Sequence, residues 1–386
     1  MSKPLRGLMP LFAVTSFAAA SCIHYQTPML GAMAAEFGAD GAAIGWVPTL
    51  TFGGFLTGIL FLVPLGDRMD KRRLIIVQNL ATMVALLAAA AAPGIAGAAA
   101  AGFAIGVCAC YAQSIVPLAA ELAPPEKRGH AVGTVLTALF LGILFARLAG
   151  GQVASLFGWR WMYVIGAGML AALAPVLIAR LPHSAPRTTL AYPVLLSSML
   201  VLLRSHAEMR RVVAIQFLLG ICYGGFWATI APMLLREHGL GPSVAGLVGI
   251  PGAAGILIAR PAGRWTDLRG AGPIVSLGAA LIIAAWGVFV FGQWWVPAIA
   301  LGAILLDCGL RAAMVPNQTL VNSLAPDARS RSNTVFGISV WSGNAAGAFL
   351  GSTALAHGGW LAVCAIAALS ASAALAVQLR AWLGRR

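Results

Sequence analysis

Long apolar runs are the feature of this sequence that most restricts its fold. Stretches of about 20 or more apolar residues recur along the chain, and a helix needs about 20 residues to cross a hydrocarbon core of about 30 Å. The strands of a membrane barrel would instead alternate over about ten residues. The chain is 60% hydrophobic with a mean hydropathy of +0.88, against roughly 45–50% apolar residues in soluble domains. We therefore predict an all-α integral membrane protein.

Twelve membrane-spanning helices are predicted, in two groups of six on either side of a polar segment. That segment, 182–211, is the longest polar connection in the chain and is interpreted as a cytoplasmic linker between a six-helix bundle at 1–181 and another at 212–386. The first apolar run is too long for the apolar region of a signal peptide, so we interpret it as the first span. The predicted spans are 8–35, 42–65, 74–92, 95–122, 131–156, 160–181, 212–236, 243–262, 273–292, 295–323, 332–356 and 359–383.

Basic residues predict the orientation of the chain. Short cytoplasmic loops of membrane proteins are enriched in Lys and Arg. If the N-terminus lies inside, nearly all basic residues are cytoplasmic and only Arg160 and Arg236 fall outside. Both termini are therefore expected in the cytoplasm, and the net charge of +14 is mostly a consequence of this topology. Because the basic residues do not cluster on a soluble domain, no nucleic-acid partner is expected.

The two halves of the sequence resemble each other at an offset of 200 residues. Between two apolar runs, the segment 64–73 carries six charged residues in ten, and a weaker copy occupies 263–270, so that Asp67 corresponds to Asp267. Other matches at this offset are Cys22 with Cys222, Cys108 with Cys308, and Thr134 with Thr334. Together they indicate duplicated six-helix halves related by an axis along the membrane normal.

Over essentially its whole length, the chain resembles the major facilitator superfamily. Residues 63–73 read VPLGDRMDKRR, where the signature of that family has the form GxLxDRxGRR, so Val63 and Asp70 replace two glycines. The segments 63–73, 117–129 and 142–151 are most similar to the twelve-span drug:proton and sugar-efflux antiporters. This resemblance implies alternating access between two halves, a monomer, the cytoplasmic membrane of a bacterium, and no cofactor.

Two departures from the antiporter pattern concern charge. The antiporter signature in span five has the form GxxxGPxxGG, and in the segment 142–151 the position of its Pro is occupied by Arg147. Span one lacks the acidic residue of many exporters of cationic drugs, since no Asp or Glu occurs from Leu8 to Ala35. The resemblance alone would allow a cationic substrate, and these two departures make one less expected.

The charged loops are candidate gating elements. In the family that they resemble, the Asp pairs with or caps a neighbouring helix end, and the Arg residues latch the two halves in the outward-facing state. A helix dipole favours an Asp at its N-terminus and cations at its C-terminus, so such contacts can switch as the halves move. The alternative is that the charges only determine topology. The residues to which the resemblance assigns gating are Asp67, Arg68, Arg72, Arg73, Asp267 and Arg269.

Asp307 is the one carboxylate predicted to lie deep in the membrane. At 1.5 Å per residue it is about 15 Å from the outer end of span ten, close to the midplane. An ionisable residue at such a depth usually faces a polar interior and is a candidate functional residue. At about 100° per residue, Asp307, Arg311, Gln318 and Asn322 share one stripe of the helix. Asp307 and Arg311 are therefore either a structural ion pair at i, i+4 spacing or a proton-coupling pair.

Other polar and aromatic residues of the spans are candidate substrate-binding residues. Spans seven, ten and eleven are predicted to wall one side of a central cavity, with spans one, four and five opposite. Arg147 binds an anionic or hydroxyl-rich solute, pairs with Asp307, or extends its charge toward the outer face; for the other residues the alternative is packing within the bundle. The candidates are Tyr25, Gln26, Tyr111, Gln113, Arg147, Gln216, Tyr223, Trp227, Gln318, Trp341 and Asn344.

The sequence favours a proton-coupled secondary transporter that exports a small organic compound. Neither a nucleotide-binding GxxxxGK[ST] nor an HExxH occurs, so an enzyme is not expected, and the six cysteines of the spans predict no metal site. Two embedded Arg against one Asp favour an anionic or zwitterionic substrate. The expected partners are this substrate, protons and the bilayer. The alternatives are proton-driven uptake of an organic anion and, from another class of protein, a transporter-like membrane sensor.

Overall fold

The computed structural model describes residues 3–66, 68–124, 127–184, 191–324 and 329–383. Within these residues the chain forms helices joined by turns, with no strand. The all-α prediction is confirmed. Because lipid offers no partner to backbone N–H and C=O groups, a chain this apolar must satisfy them within its own helices.

Sixteen α-helices follow one another along the described residues. The helices of the N-terminal half are α1 Lys3–His24, α2 Leu30–Phe37, α3 Gly41–Leu65, α4 Lys71–Ala90, α5 Ile95–Cys108, α6 Ala112–Leu122, α7 Arg128–Phe157 and α8 Trp159–Arg180. The connecting segment holds α9 Tyr192–Ser205. Those of the C-terminal half are α10 Ala207–His238, α11 Pro242–Leu247, α12 Gly249–Gly252, α13 Gly255–Arg269, α14 Ala271–Val290, α15 Val296–Leu324 and α16 Arg329–Leu383.

Eleven helical stretches among the described residues are long and apolar enough to cross a membrane. The last of them, 331–381, has 51 residues and would be roughly 75 Å long if straight. It is interrupted at Gly359, which has φ 67° and ψ −166°, a backbone conformation that favours glycine. Gly158, with φ 92°, separates α7 from α8 in the same way. The length of α16 is thus consistent with two crossings and with the twelve predicted.

Three predicted spans are broken in the structure. The first is interrupted after His24, the fourth by a 3₁₀ turn at Ala109–Tyr111, and the eighth is divided into α11, α12 and α13. Pro117 lies inside the continuous helix α6. Irregular backbone at membrane depth is tolerated only where protein or a polar cavity surrounds it. Such breaks are invisible to hydropathy, which averages over a whole span.

The predicted linker contains a helix, α9, that packs on the bundle. Leu195 and Met199 are its buried residues, and Met199 belongs to an apolar cluster with Met209 and Phe336. The hydroxyl of Tyr192 donates to the carbonyl of Phe61 at 2.6 Å. The seventh span also begins at Ala207, five residues before the predicted bundle boundary at 212.

Each half has its own buried core, and several helix pairs join the halves. The two larger apolar clusters are centred on the N-terminal and the C-terminal half, and the first also includes Ala228 and Ala348. Across the interface, α3 contacts α16, α7 contacts α11, and α2 contacts α10. We call the side of the bundle with α9 the linker side and the opposite side the distal side. On the distal side the Ser243 hydroxyl donates to the Ser155 hydroxyl at 2.8 Å. The candidate functional site lies at this interface.

Candidate functional site

A small cavity of about 20 Å³ lies between the two halves, at the depth of Asp307. It brings together four predicted site residues from three helices: Arg147 of α7, Tyr223 of α10, and Asp307 and Arg311 of α15. Its remaining lining residues are Phe140, Ile143, Leu144, Gly249, Gly252, Ala253 and Ile256. A space of this size holds about one water molecule.

Asp307 is buried in this site without an ion pair among the described residues. The residue is 3% exposed, and its Oδ2 atom is buried with no hydrogen-bond partner. The end of α12 and the start of α13 approach Asp307 closely because each has a glycine there. A Cβ on Gly252 would lie 3.2 Å from that Oδ2, and one on Gly255 would lie 2.6 Å from the Asp307 carbonyl oxygen. The sequence allowed either a structural ion pair of Asp307 with Arg311 or a proton-coupling role. The direct ion pair is not formed among the described residues.

Arg147 crosses the interface and rests on aromatic residues of the other half. Its Nη2 donates to the Tyr223 hydroxyl at 2.9 Å, and its guanidinium carbon lies 3.4 Å from the centre of the Trp227 ring. The residue is 3% exposed, and its Nε has no partner. The side chain therefore does not extend to the outer face, and it makes no direct ion pair with Asp307 among the described contacts. A desolvated guanidinium over an aromatic face is stabilised by about 2 kcal/mol.

Arg311 lies on the linker side of Asp307 and also contacts the opposite half. Its guanidinium carbon is 4.7 Å from the ring centre of Phe140, and Nη1 lies 3.7 Å from the Met314 sulfur. Its Nε is buried without a partner. The site thus combines two guanidinium groups and one carboxylate with unused hydrogen-bonding atoms on all three. Such a set can bind an anionic group and can move a proton on the carboxylate.

The other predicted residues of the C-terminal half lie outside this cavity. Trp227 lies next to the cavity, where its ring stacks against the Arg147 guanidinium. Both amide atoms of the fully buried Gln216 and the Oδ1 of Asn344 lack partners. Gln318 donates to Asn333 at 3.3 Å. Trp341 packs edge-on against Phe55, with ring centres 4.4 Å apart, so it joins the halves away from Asp307.

The predicted residues of spans one and four are not brought to the site. Tyr25 and Tyr111 are fully buried in the core of the N-terminal half, where the Tyr111 hydroxyl donates to Asn79 at 3.4 Å. Gln26 accepts from the hydroxyl of Thr51 at 3.2 Å. Half-buried Gln113 does not line the cavity either. A polar residue in an apolar span is predicted to face protein and not lipid. Its polarity does not tell whether it lies in the core of one half or at the interface between the halves.

The charged loop after α3 contacts its own half. Asp67 lies outside the described residues. An Nη of Arg72 lies 2.5 Å from His183, just after α8, and Lys71 pairs with Glu121 of α6 at 2.7 Å. Burial raises the pKa of Asp70, but hydrogen bonds from Ser184, His183 and the Arg72 backbone outweigh it, so that its pKa is lowered. The remaining gating candidates are exposed, namely Arg68, Arg73, Asp267 and Arg269. In the described residues these charges therefore form no latch between the halves.

Sequence reasoning missed the glycine face of span eight and the ring of Phe140. The segment 246–255 reads GLVGIPGAAG, with a glycine at every third position, and Gly252 and Gly255 are the residues that let the chain approach Asp307. A Gly- and Pro-interrupted span is a recognised pointer to a transporter binding site. Phe140 has no such signal, because one more Phe in an apolar span does not indicate which helix it faces.

The chain is similar to known proteins over most of its length. The sequence profile of the Major Facilitator Superfamily matches residues 11–259. A protein of Escherichia coli O157:H7 named "Uncharacterized transporter YgaY" is 34% identical over 99% of this chain and 97% of its own length. A "Multidrug resistance protein B homolog" of Mycobacterium tuberculosis is 25% identical over 84% of this chain and 71% of its own length. The crystal structure of the nucleoside transporter NupG superposes with a TM-score of 0.76 at 14% identity, covering 96% of this chain and 99% of that one.

Proposed function

The chain belongs to the major facilitator superfamily of membrane transporters, and on that premise we propose that it exports a small organic compound in exchange for protons. The two halves move against each other about the interface that holds Asp307, so that the site is open to one side of the membrane at a time. The similarity to a multidrug resistance protein homolog supports the outward direction. Asp307 carries the proton, and Arg147 and Arg311 bind the substrate.

One observation carries this proposal: a buried carboxylate oxygen of Asp307, with no hydrogen-bond partner among the described residues, at the interface of the two halves. Burial disfavours the charged form of Asp307, while the two guanidinium groups favour it. The balance between these effects changes when a ligand binds to the guanidinium groups. A carboxylate held in such a balance can load and release a proton during each transport cycle, whereas one fixed in a tight ion pair would stay charged.

The exchange of substrate for a proton restricts the substrate. A simple anion that binds Arg147 and Arg311 takes their favourable field away from Asp307, so the carboxylate gains a proton. Proton and anion would then travel together, which is uptake. A zwitterion also brings a cationic group to the carboxylate and displaces the proton. Export against protons therefore favours a zwitterionic substrate over an anionic one, and uptake of an organic anion is the alternative.

A proton-exchange experiment tests coupling and direction together. The purified chain in weakly buffered detergent is mixed with phenylalanine, 3-phenylpropanoate or phenethylammonium, which share an aromatic body and differ in charge, while a dye records the pH. We expect proton release with the zwitterion, and no exchange in Asp307→Asn. Glu208→Gln, which removes a carboxylate on the linker side, is the matched control and should behave like the unmodified chain.

The sign of the proton exchange decides between the two directions. Proton uptake on adding 3-phenylpropanoate, abolished by Asp307→Asn, would favour uptake of an organic anion and overturn export. Unchanged exchange in Asp307→Asn would overturn the coupling role of this residue. Thermal unfolding with the same three compounds, repeated on Arg147→Ala, reports binding independently of protons; stabilisation by the cation alone would contradict the substrate class.

A further inference from the structure

A second and larger cavity, of about 510 Å³, opens on the distal side between the two halves. It shares no lining residue with the cavity at Asp307. Its volume lies in the range of small-molecule sites, about 300–1,000 Å³. The residues that line it are Gly31, Ala34, Ala35, Gly38, Ala39, Asp40, Gly41, Ile44, Pro232, Leu235, Arg236, Leu355, Ala356 and His357.

The walls of this distal cavity are apolar and come from both halves. Its deep part is formed by Gly31, Ile44 and Leu355, all buried. Two close contacts between the halves bound it: a Cβ on Gly31 would lie 3.2 Å from the Ala231 carbonyl oxygen, and one on Gly41 would lie 3.5 Å from the Ala356 Cβ. Small residues keep the space between these contacts open, so an apolar body of moderate size fits there.

The charged groups of this cavity lie at its mouth and have opposite signs. Asp40, from the N-terminal half, caps α3 by accepting the Ala43 N–H at 2.7 Å on Oδ1. Arg236, from the C-terminal half, has an exposed side chain, and its one ion pair among the described residues is with its neighbour Glu237, at 3.5 Å through Nε. Asp40 and Arg236 do not pair with each other in the described structure. His357 donates its Nδ1–H to the Thr353 carbonyl, leaving Nε2 uncommitted.

We propose that the distal cavity binds an amphipathic zwitterion, with its apolar body between the halves, its anionic group on Arg236 and its cationic group on Asp40. Such a ligand complements the apolar walls and both charges at once, whereas an amphipathic anion or cation would satisfy one charge and repel the other. Because it touches both halves, the bound ligand stabilises the arrangement in which they meet on the distal side. The site uses neither Asp307 nor any proton. An experiment that refutes binding in the distal cavity is therefore separate from one that refutes proton-coupled transport.

Protection of a cysteine from labelling tests this site. The full chain carrying Ala35→Cys, an exposed lining position, is placed in lipid nanodiscs and reacted with a maleimide in the presence of three decyl compounds. These are a decyl sulfobetaine, decanoate and decyltrimethylammonium, all below micelle-forming concentration. We expect the zwitterion to protect the cysteine at a concentration about tenfold lower than either singly charged compound, since it makes one more charge-assisted contact. Labelling of the unmodified chain gives the background from its own cysteines.

Variants of the two charges and a control cysteine complete the test. In the Ala35→Cys chain, Asp40→Asn and Arg236→Gln should each weaken protection by the zwitterion about tenfold; Asn still caps a helix, so α3 is kept. Ala91→Cys, exposed on the same side but outside the cavity, should not be protected. Equal protection by all three compounds, or protection unaffected by both charge variants, overturns the proposal. Lysophosphatidylethanolamine as a fourth compound shows whether a membrane lipid supplies the same zwitterionic chemistry.

Discussion

Arg147 carries a buried charge that no carboxylate of the described residues neutralises by direct contact. The aromatic face of Trp227 and the hydroxyl of Tyr223 receive it instead. A guanidinium is planar and weakly hydrated, and for this reason it can be buried against an aromatic ring more easily than an ammonium. Arg147 occupies the position of the Pro in the antiporter signature. In this chain that position therefore provides a polar contact between the two halves.

The contact predicts a difference between Arg and Lys at position 147. Lys keeps the charge but cannot stack on Trp227 and reach Tyr223 together, so Arg147→Lys should lower the stability by about 2 kcal/mol, the size of a desolvated cation–π interaction. Thermal or denaturant unfolding in detergent measures the change. Arg204→Lys, at an exposed position of α9, is the control and should change little. Equal stability of Arg147→Lys and the unmodified chain would show that the stack contributes nothing.

Several helix pairs of this protein approach each other closely at glycine residues. On α10, a Cβ added to Gly224 would lie 2.1 Å from the carbonyl oxygen of Asn344 in α16. Between α3 and α5, one added to Gly106 would lie 2.1 Å from the carbonyl oxygen of Thr51. Lipid removes the hydrophobic drive for helices to associate, so close backbone approach and van der Waals contact hold membrane helices together.

Alanine at two glycines of the C-terminal half separates packing from helix propensity. Gly224→Ala should destabilise the protein by about 1–3 kcal/mol, as overpacking does, because a backbone atom stands in the way. Gly287→Ala is the matched control: it lies inside α14 with nothing within 4 Å of the added Cβ, so alanine there should be neutral or slightly stabilising. Unfolding of both variants in the same detergent makes the comparison; a Gly224→Ala variant as stable as Gly287→Ala would contradict the close approach.

On the scale of the whole molecule, the two halves touch each other on the distal side. There α7 contacts α11, and the beginning of α3 contacts α16, where a Cβ on Gly41 would lie 3.5 Å from the Ala356 Cβ. Serines from each half meet there with their hydroxyl oxygens 2.8 Å apart, Ser243 and Ser155. Transport by alternating access requires these contacts to open in each cycle. A covalent tie at this point should therefore hold the protein in one arrangement.

A cysteine pair tests this requirement. Ser155→Cys with Ser243→Cys should form a disulfide on mild oxidation, since the two side chains already meet. Transport of the compound that exchanges protons with the unmodified chain should stop in the oxidised double variant and return when dithiothreitol is added. Each single variant is a control and should transport after oxidation. Undiminished transport by the cross-linked protein would show that the distal interface need not open.

The sequence by itself determined the class of the protein and the depth of its charges. Apolar runs of spanning length predict an all-α membrane protein, because polar groups are costly in lipid. The 200-residue repeat predicts two similar halves, and the basic loops predict their orientation. The same cost identifies Asp307, Arg311 and Arg147, which no apolar span would carry without a reason. These three do meet in one cavity.

Only the tertiary structure decided which buried polar residues belong together. Tyr25, Tyr111 and Tyr223 are all buried tyrosines of predicted spans, yet the first two lie in the core of one half while Tyr223 lines the cavity at the interface. Periodicity states which face of a helix avoids lipid, but a helix in a bundle has several protein neighbours on that face. The choice among them depends on close approach between backbones, set here by glycines whose contacts lie in distant parts of the chain, and so it cannot be predicted from one span at a time.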